Sequence, residues 1–286
     1  LKDAGRRIRA FVCSGSCTYD ANGWPQTGTN SNVIFTGGAR GKYPGGSSNS
    51  YHVFYSGTGT ITYSNNVSRD AAASSAGHDV VTVTNNNADF TYTTNGRVYD
   101  VKIIMPGGDC GDEFTFAASA SSCSSPSQFR PNYLTYETQP IHSLFLEKYK
   151  RYSSIRFQWW SWGAQNYTGS IACPSMPWSS RAKMTDAVWA GHAVPVEIMV
   201  MIANKLNVDP WFTIPHCAND LHGSTSVADQ FTRQFAKYVH DNLNSNLKAY
   251  VEYSNETWNG GYAVAQYLRS EGVRLGVSTD PNLAQL

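Results

Sequence analysis

The feature that most constrains the fold is a change of pattern near residue 140 of this 286-residue chain. Before it, short runs of β-branched and aromatic residues alternate with turns of Gly, Ser, Thr and Asn, which is typical of an antiparallel sheet or sandwich. The runs predict five strands, at Ser50–Gly57, Thr58–Ser64, Asp79–Thr84, Asp89–Thr94 and Tyr99–Met105.

After residue 140, helical and strand patterns alternate. Strands separated by helices form parallel sheets, and such sheets gather functional residues at the carboxyl ends of their strands. The patterns predict helices at Ile141–Tyr152, Pro195–Asn207, Val227–Leu243 and Tyr262–Gly272, and strands at Ser154–Trp160, Val208–Pro215 and Lys248–Ser254.

Polar and aromatic residues stand where these three strands end, so we expect them to share one rim. Asn255 is suited to hydrogen bonding with a sugar hydroxyl, and tryptophan rings offer flat apolar faces to a pyranose. Trp211, in mid-strand, is expected in the core instead. The candidate substrate-binding residues are Arg156, Trp159, Trp160, His216, Glu252, Asn255 and Trp258.

Glu256 is the candidate catalytic residue of this rim. In an extended strand Glu252, Ser254 and Glu256 face one side, and partial burial beside another carboxylate raises the pKa of a glutamate towards the range of general acid/base work. The alternative, a surface glutamate in a polar turn, stays open.

Two other residues of the rim also keep a structural alternative. His216 is either a rim residue or an imidazole of the core, and Arg156 either binds substrate or anchors Glu252 or Glu256 as an ion pair. His216, Asp220 and His222 are too few to predict a metal site, and no cofactor is predicted.

Composition narrows the class of partner. Charged residues make up 15% of the chain and the formal net charge is +1, which favours neither nucleic acid nor an anionic membrane as a partner. No segment approaches the ~20 apolar residues of a membrane-spanning helix. The chain begins at Leu1 without an initiator methionine, so we expect a processed or partial product.

Cysteines and glycosylation sequons predict a secreted, extracellular protein. Three sequons, at Asn66, Asn166 and Asn255, agree with an oxidising secretory route. Sequence proximity favours two local disulfides and leaves one at longer range, which is one of fifteen possible connectivities. The predicted pairs are Cys13 with Cys17, Cys110 with Cys123, and Cys173 with Cys217.

The segment "EYSNETWN", from Glu252 to Asn259, resembles the fourth-strand signature of the clan-A retaining glycoside hydrolases, which are TIM barrels. The longer run "IRFQWW … PVEIMVMIANKLNVDPWFTIPHCANDL … FTRQFAKYVHDNLNSNLKAYVEYSNETWN" is similar to secreted bacterial and algal proteins described as cellulose-binding or glycoside-hydrolase-like. The resemblance covers residues 140 to 270 strongly and extends more weakly through "DANGWP", "YPGG" and "IIMPG".

This resemblance implies an α/β fold, a partial or truncated TIM-type (β/α) barrel with an inserted all-β, sandwich-like domain. The implied domains are an N-terminal helix-like barrel segment (1–20), the inserted β domain (21–139) and a barrel segment (140–286). It also implies that Glu256 matches the acid/base and Asn255 its substrate-binding neighbour. Arg156 and His216 match rim residues of the second and third barrel strands.

Two departures from the family pattern leave two functions open. A retaining hydrolase needs a second carboxylate about 5–5.5 Å from the first, and in the clan it comes from a seventh strand that this chain does not reach. Thr257 also makes Asn255 a sequon, and a glycan there would block the cleft. The chain is therefore either a hydrolase-like protein acting on or binding polysaccharide, or a non-catalytic glycoprotein of a matrix or filament that associates with itself through strand edges.

Overall fold

The computed structural model describes residues 1–7, 11–35, 50–64, 66–83, 90–158, 160–161, 176–189, 193–218 and 230–280. Contacts within the chain divide it into two compact units. The first consists of Leu1–Arg151 with Thr185–Ala190, and the second of Tyr152–Met184 with Gly191–Leu286.

The first unit is built mainly from antiparallel strands. They form two four-stranded sheets, in the orders β1-β2-β7-β4 and β5-β6-β3-β8. The five strands predicted from sequence are confirmed as β3, β4, β6, β7 and β8. The strands are β1 (Val12–Tyr19), β2 (Pro25–Phe35), β3 (Ser50–Ser56), β4 (Thr60–Tyr63), β5 (Val67–Ser75), β6 (His78–Val83), β7 (Phe90–Asn95) and β8 (Tyr99–Ile104).

One hydrophobic core lies between these two sheets. Alternate residues of a strand face opposite sides, so Tyr51 and Val53 of β3 point inward while His52 and Phe54 point away. The Tyr51 ring meets the ring of Phe90 from the other sheet edge-on, with centroids 5.6 Å apart. This contact ties the two sheets together.

Short elements complete the first unit. A three-stranded sheet has the order β10-β9-β11, and two disulfides, Cys13–Cys17 and Cys110–Cys123, form as predicted. The elements are β9 (Gly108–Asp109), β10 (Phe116–Ala117), β11 (Arg130–Pro131), α1 (Asn132–Thr135), α2 (Ser143–Tyr149) and 3-10 turns at Ala4–Arg7, Ala120–Ser122 and Pro126–Gln128.

The second unit contains a three-stranded parallel sheet of order β12-β13-β14, as the alternating pattern predicts. Cys217 is disulfide-bonded, and its predicted partner Cys173 lies outside the described residues. The elements are β12 (Ser154–Arg156), a 3-10 turn (Trp178–Ser180), α3 (Val196–Leu206), β13 (Asp209–Ile214), α4 (Phe231–Asn242), β14 (Tyr250–Tyr253) and α5 (Ala263–Arg274).

The predicted fold class, a partial TIM-type barrel carrying an inserted β domain, is wrong. Most strands of the described residues belong to antiparallel sheets, and the three parallel strands form an open sheet with β12 and β14 at its edges. At the N-terminus, a 3-10 helix (Ala4–Arg7) precedes strand β1 within the segment predicted to be helix-like. None of the described helices is long and apolar enough to span a membrane.

Candidate functional site

One face of the parallel sheet carries polar and aromatic side chains. Residues in register on neighbouring strands point to the same side, which places Arg156 beside Trp211, Trp211 beside Tyr250, and Thr213 beside Glu252. We call these five residues the polar face. Three of them, Arg156, Trp211 and Tyr250, occupy one row across all three strands.

Arg156 organises this face by binding two acceptors on the third strand and beyond it. Its Nε and Nη2 atoms donate to the two carboxylate oxygens of Glu252 at 2.9 and 2.8 Å, and Nη2 also donates to Asn255 Oδ1 at 2.8 Å. The Thr213 hydroxyl donates to the same carboxylate at 3.4 Å. A fork of this kind fixes orientation as well as charge, so Arg156 anchors Glu252, one of its two predicted alternatives.

Aromatic rings flank this ion pair. The Arg156 guanidinium carbon lies 5.5 Å from the centroid of the Trp211 ring, a cation–π distance. The Tyr250 ring follows 6.4 Å from Trp211. Trp211 is 41% exposed and Tyr250 is 48% exposed, so the core position predicted for Trp211 is wrong. The alternation of Trp211 and Thr213 with Phe212 and Ile214 was the signal that could have placed Trp211 on the polar face.

The backbone changes direction where β14 ends. Ser254 and Glu256 adopt left-handed φ angles of 59° and 48°, which residues other than glycine rarely adopt. The alternation that would have aligned Ser254 and Glu256 with Glu252 therefore stops at Tyr253. A residue other than glycine in the left-handed conformation costs of order 1–3 kcal/mol, and such residues cluster at functional sites.

These turns bury Asn255, which is only 1% exposed, and leave Glu256 half-buried beside it. Asn255 Nδ2 is buried and has no hydrogen-bond partner among the described residues. The Glu256 carboxylate accepts a hydrogen bond from Asn259 Nδ2 at 3.2 Å, and the Asn259 amide donates to the Glu256 carbonyl at 2.9 Å. Glu256 is thus held in a tight turn after the strand.

His216 is an imidazole of the core, the structural one of its two predicted roles, because it is 3% exposed and its ring lies 5.1 Å from that of Tyr267 in a tilted contact. Burial lowers the pKa of His216 to about 4, so the imidazole is neutral near pH 7. Its carbonyl accepts a hydrogen bond from the Tyr253 hydroxyl at 3.1 Å. His216 therefore supports the site from within the unit.

The two predicted rim tryptophans that the structure describes, Trp160 and Trp258, differ in their surroundings. Trp258 is 73% exposed, whereas Trp160 is half-buried with its ring 5.2 Å from Phe157. Trp159 lies outside the described residues. The polar face instead takes its aromatic surface from Trp211 and Tyr250, which sequence reasoning did not select.

The opposite face of the sheet is apolar. There the Phe212 ring packs 5.3 Å from Phe235 of α4, beside a cavity of about 720 Å³ that Val239, Leu243 and Val251 also line. A lining of this kind offers few groups to orient a polar ligand. In the described part of the chain, no group of three or more His, Cys, Asp or Glu residues is placed to hold a metal ion.

No match emerged when the chain was compared with protein-family models, curated proteins and solved structures. The resemblance to glycoside hydrolases, with the roles it implies for Glu256 and Asn255, therefore stays a prediction. The structure itself shows the arrangement of the polar face and of the turn that follows it.

The sequons differ in their surroundings. Asn255 is buried and its side-chain oxygen is bound to Arg156, so a glycan on Asn255 does not fit this structure. Asn66 is half-buried next to the start of β5, and Asn166 lies outside the described residues. Modification at Asn66 and Asn166 stays a prediction.

Proposed function

We propose that the second unit binds a polysaccharide on the polar face of its parallel sheet. The observation that carries this proposal is the contact of Arg156 with both Glu252 and Asn255, next to the exposed rings of Trp211 and Tyr250. Glycan sites combine flat aromatic surface with fixed hydrogen-bonding groups, and the polar face supplies both.

The chemistry of the ion pair suits sugar hydroxyls. Each carboxylate oxygen of Glu252 has lone pairs beyond those used by Arg156, so it can accept a hydrogen bond from a hydroxyl group. Because Arg156 and Thr213 already hold the carboxylate, binding costs little ordering of that side chain. The aromatic row beside it can pack against the C–H face of a sugar ring.

Removal of the Trp211 ring tests this directly. Trp211→Ala is expected to weaken polysaccharide binding at least about tenfold, because aromatic anchors dominate binding energy and 1.4 kcal/mol is a factor of ten. Binding is measured by calorimetry with soluble glycans and by pull-down on insoluble ones, across neutral and anionic polymers. Tyr152→Ala removes a more accessible ring, 59% exposed in the same unit, and should bind as the parent does.

Two results would contradict polysaccharide binding. One is a parent protein that no polymer of the panel retains. The other is a Trp211→Ala variant whose affinity equals that of the parent while Tyr152→Ala is also unchanged.

A second candidate function is glycoside hydrolysis with Glu256 as the proton donor. It is favoured by the left-handed backbone of Glu256 and by the hydrogen bond from Asn259 that holds its carboxylate. Glu256→Gln should then abolish release of reducing sugar and leave binding intact. Absence of sugar release by the parent on polymers that it binds would leave a binding protein, which also fits a role in an extracellular matrix or filament.

Secretion belongs to the same proposal. Cys13–Cys17, Cys110–Cys123 and the disulfide of Cys217 agree with folding in an oxidising compartment. A secreted protein would meet the polysaccharide of a cell wall or matrix outside the cell.

A further inference from the structure

A ladder of nearly parallel aromatic rings covers the outer face of the sheet β5-β6-β3-β8 in the first unit. The Tyr133 ring, on helix α1, stacks on His52 of β3 with centroids 3.8 Å apart and planes 10° from parallel. Tyr136, at the C-terminal cap of α1, stacks on Phe54 at 5.3 Å, and Phe54 stacks on His78 at 4.3 Å. We call these five residues the ring ladder.

A hydrogen bond between two histidines lies inside the ring ladder. The Nδ1 atom of His52 and the Nε2 atom of His78 are 2.9 Å apart. One nitrogen must donate and the other must accept, so at least one imidazole has to be neutral. Burial, and secondarily the charge of His78, lower the pKa of His52 to about 4.

Other charged groups on this face are engaged elsewhere. Lys102, in register with Phe54, binds Asp100, and Asp70 of β5 accepts hydrogen bonds from backbone amides of its own strand. After α1, the Glu137 carboxylate accepts a hydrogen bond from the Tyr136 hydroxyl at 3.1 Å. Burial, and secondarily nearby carboxylates, raise the pKa of that tyrosine. No carboxylate of the described residues pairs with either imidazole.

We propose that the His52–His78 pair is an acid-sensitive contact that loosens the packing of α1 on this sheet when both imidazoles are protonated. One proton leaves the hydrogen bond intact, because a charged imidazole donates to a neutral one. Two protons leave two donors and two positive charges 2.9 Å apart with no acceptor between them.

The direction of the pH effect follows from the lowered pKa of His52. The fold favours the neutral imidazole, so its contribution to stability is complete above the ordinary pKa of about 6.5 and is lost as the pH falls through about 4. Loosening is therefore expected in acid and not in alkali.

A small pocket beside this contact makes it a control point for ligand access. A cavity of about 200 Å³ is walled by His52 and Tyr133 together with Phe129. The N-terminal end of α1 is fixed, since Asn132 Nδ2 donates to the carbonyls of Met105 and Pro106 at 3.3 and 3.1 Å. Separation of the Tyr133 and His52 rings would therefore widen the pocket while α1 stays attached at Asn132.

The test is an NMR titration of histidine and tyrosine ring signals from pH 7.5 to 3.5, with far-UV circular dichroism as a monitor of the overall fold. In the parent, the Tyr133 and Tyr136 signals should shift together with His52 near pH 4 while the dichroism is retained. His78→Phe keeps a ring for stacking and removes one charge, so its tyrosine step should disappear. His240→Gln removes an imidazole that is 87% exposed in the second unit and should leave the step unchanged.

Several results would overturn the proposal. In the parent alone, tyrosine signals that stay constant while His52 titrates would overturn the proposal. A tyrosine step with the same midpoint in parent and His78→Phe would do so too, as would loss of the dichroism at that midpoint in both.

Discussion

An Arg156→Ala variant is expected to bind polysaccharide at least about 30-fold more weakly than the parent and to lose about 1–3 kcal/mol of unfolding free energy. The substitution removes the donors to Glu252 and Asn255 and leaves a carboxylate and a buried amide oxygen without them. The side chains of Arg156 and Glu252 are 34% and 24% exposed, so the loss should be smaller than for a fully buried pair. Urea unfolding monitored by tryptophan fluorescence and binding calorimetry measure the two effects.

One further variant separates the effect of the forked hydrogen bonds from that of the positive charge, and another serves as a control. Arg156→Lys keeps the positive charge but cannot bind both oxygens of Glu252 and Asn255 with the same planar group, so binding should be intermediate. Arg274→Ala breaks an exposed pair with Glu271 on α5 and should change stability by less than about 1 kcal/mol. An Arg156→Ala variant with parental affinity would show that the polar face is not the binding site.

The second unit was largely predictable because its signals are local. Apolar residues of α4 recur every four positions, and three of them, Phe231, Phe235 and Val239, are buried in one stripe. Helices between strands imply parallel pairing, and parallel pairing brings the end of β12 towards β14. An ion pair of Arg156 with Glu252 or Glu256 was one of the two alternatives predicted from that order.

The barrel was not predictable from the same signals. A helix-strand alternation indicates that neighbouring strands run parallel, but it contains no information on how many strands join or whether the sheet closes. In the described residues β14 pairs with β13 alone, and closure needs partners on both edges. Local pattern therefore predicted the sheet direction correctly, whereas the barrel that the resemblance implied was wrong.

Strands β1 and β5 were missed because their residues are weak strand formers. Their sequences, "VCSGSCTY" and "VSRDAAASS", are poor in β-branched and aromatic residues and almost wholly exposed. Both lie at sheet edges, where pairing with β2 and β6 supplies the structure that intrinsic preference does not. Partners distant in sequence decide such strands.

The geometry of the turn after β14 was not predicted either, for a different reason. A strand pattern extrapolated to Glu256 assumes extended backbone, and nothing in "SNE" announces left-handed residues at positions 254 and 256. Asn and Gly adopt this conformation most readily, whereas here Ser254 and Glu256 adopt it. The tertiary structure imposes this geometry, and that is why the orientation of the candidate acid could not be derived from sequence.

A Phe90→Ala variant is expected to destabilise the first unit by about 3–5 kcal/mol, the largest stability effect predicted for this chain. Phe90 is fully buried, and its ring meets Tyr51 of the other four-stranded sheet at 5.6 Å and Tyr63 of its own sheet at 6.4 Å. Removal of the ring leaves a cavity at the point where the two sheets join. A loss of that size is a large fraction of the 5–15 kcal/mol that stabilises an ordinary domain.

Thr91→Ala is the matched control, because Thr91 is the next residue of β7 and points to the other side of the sheet, where it is half-buried. It should cost less than about 1 kcal/mol in the same urea titration. Equal losses for the two variants would mean that the sheets do not share a core at Phe90. A large loss for Phe90→Ala alone would tie the stability of both sheets to one interface.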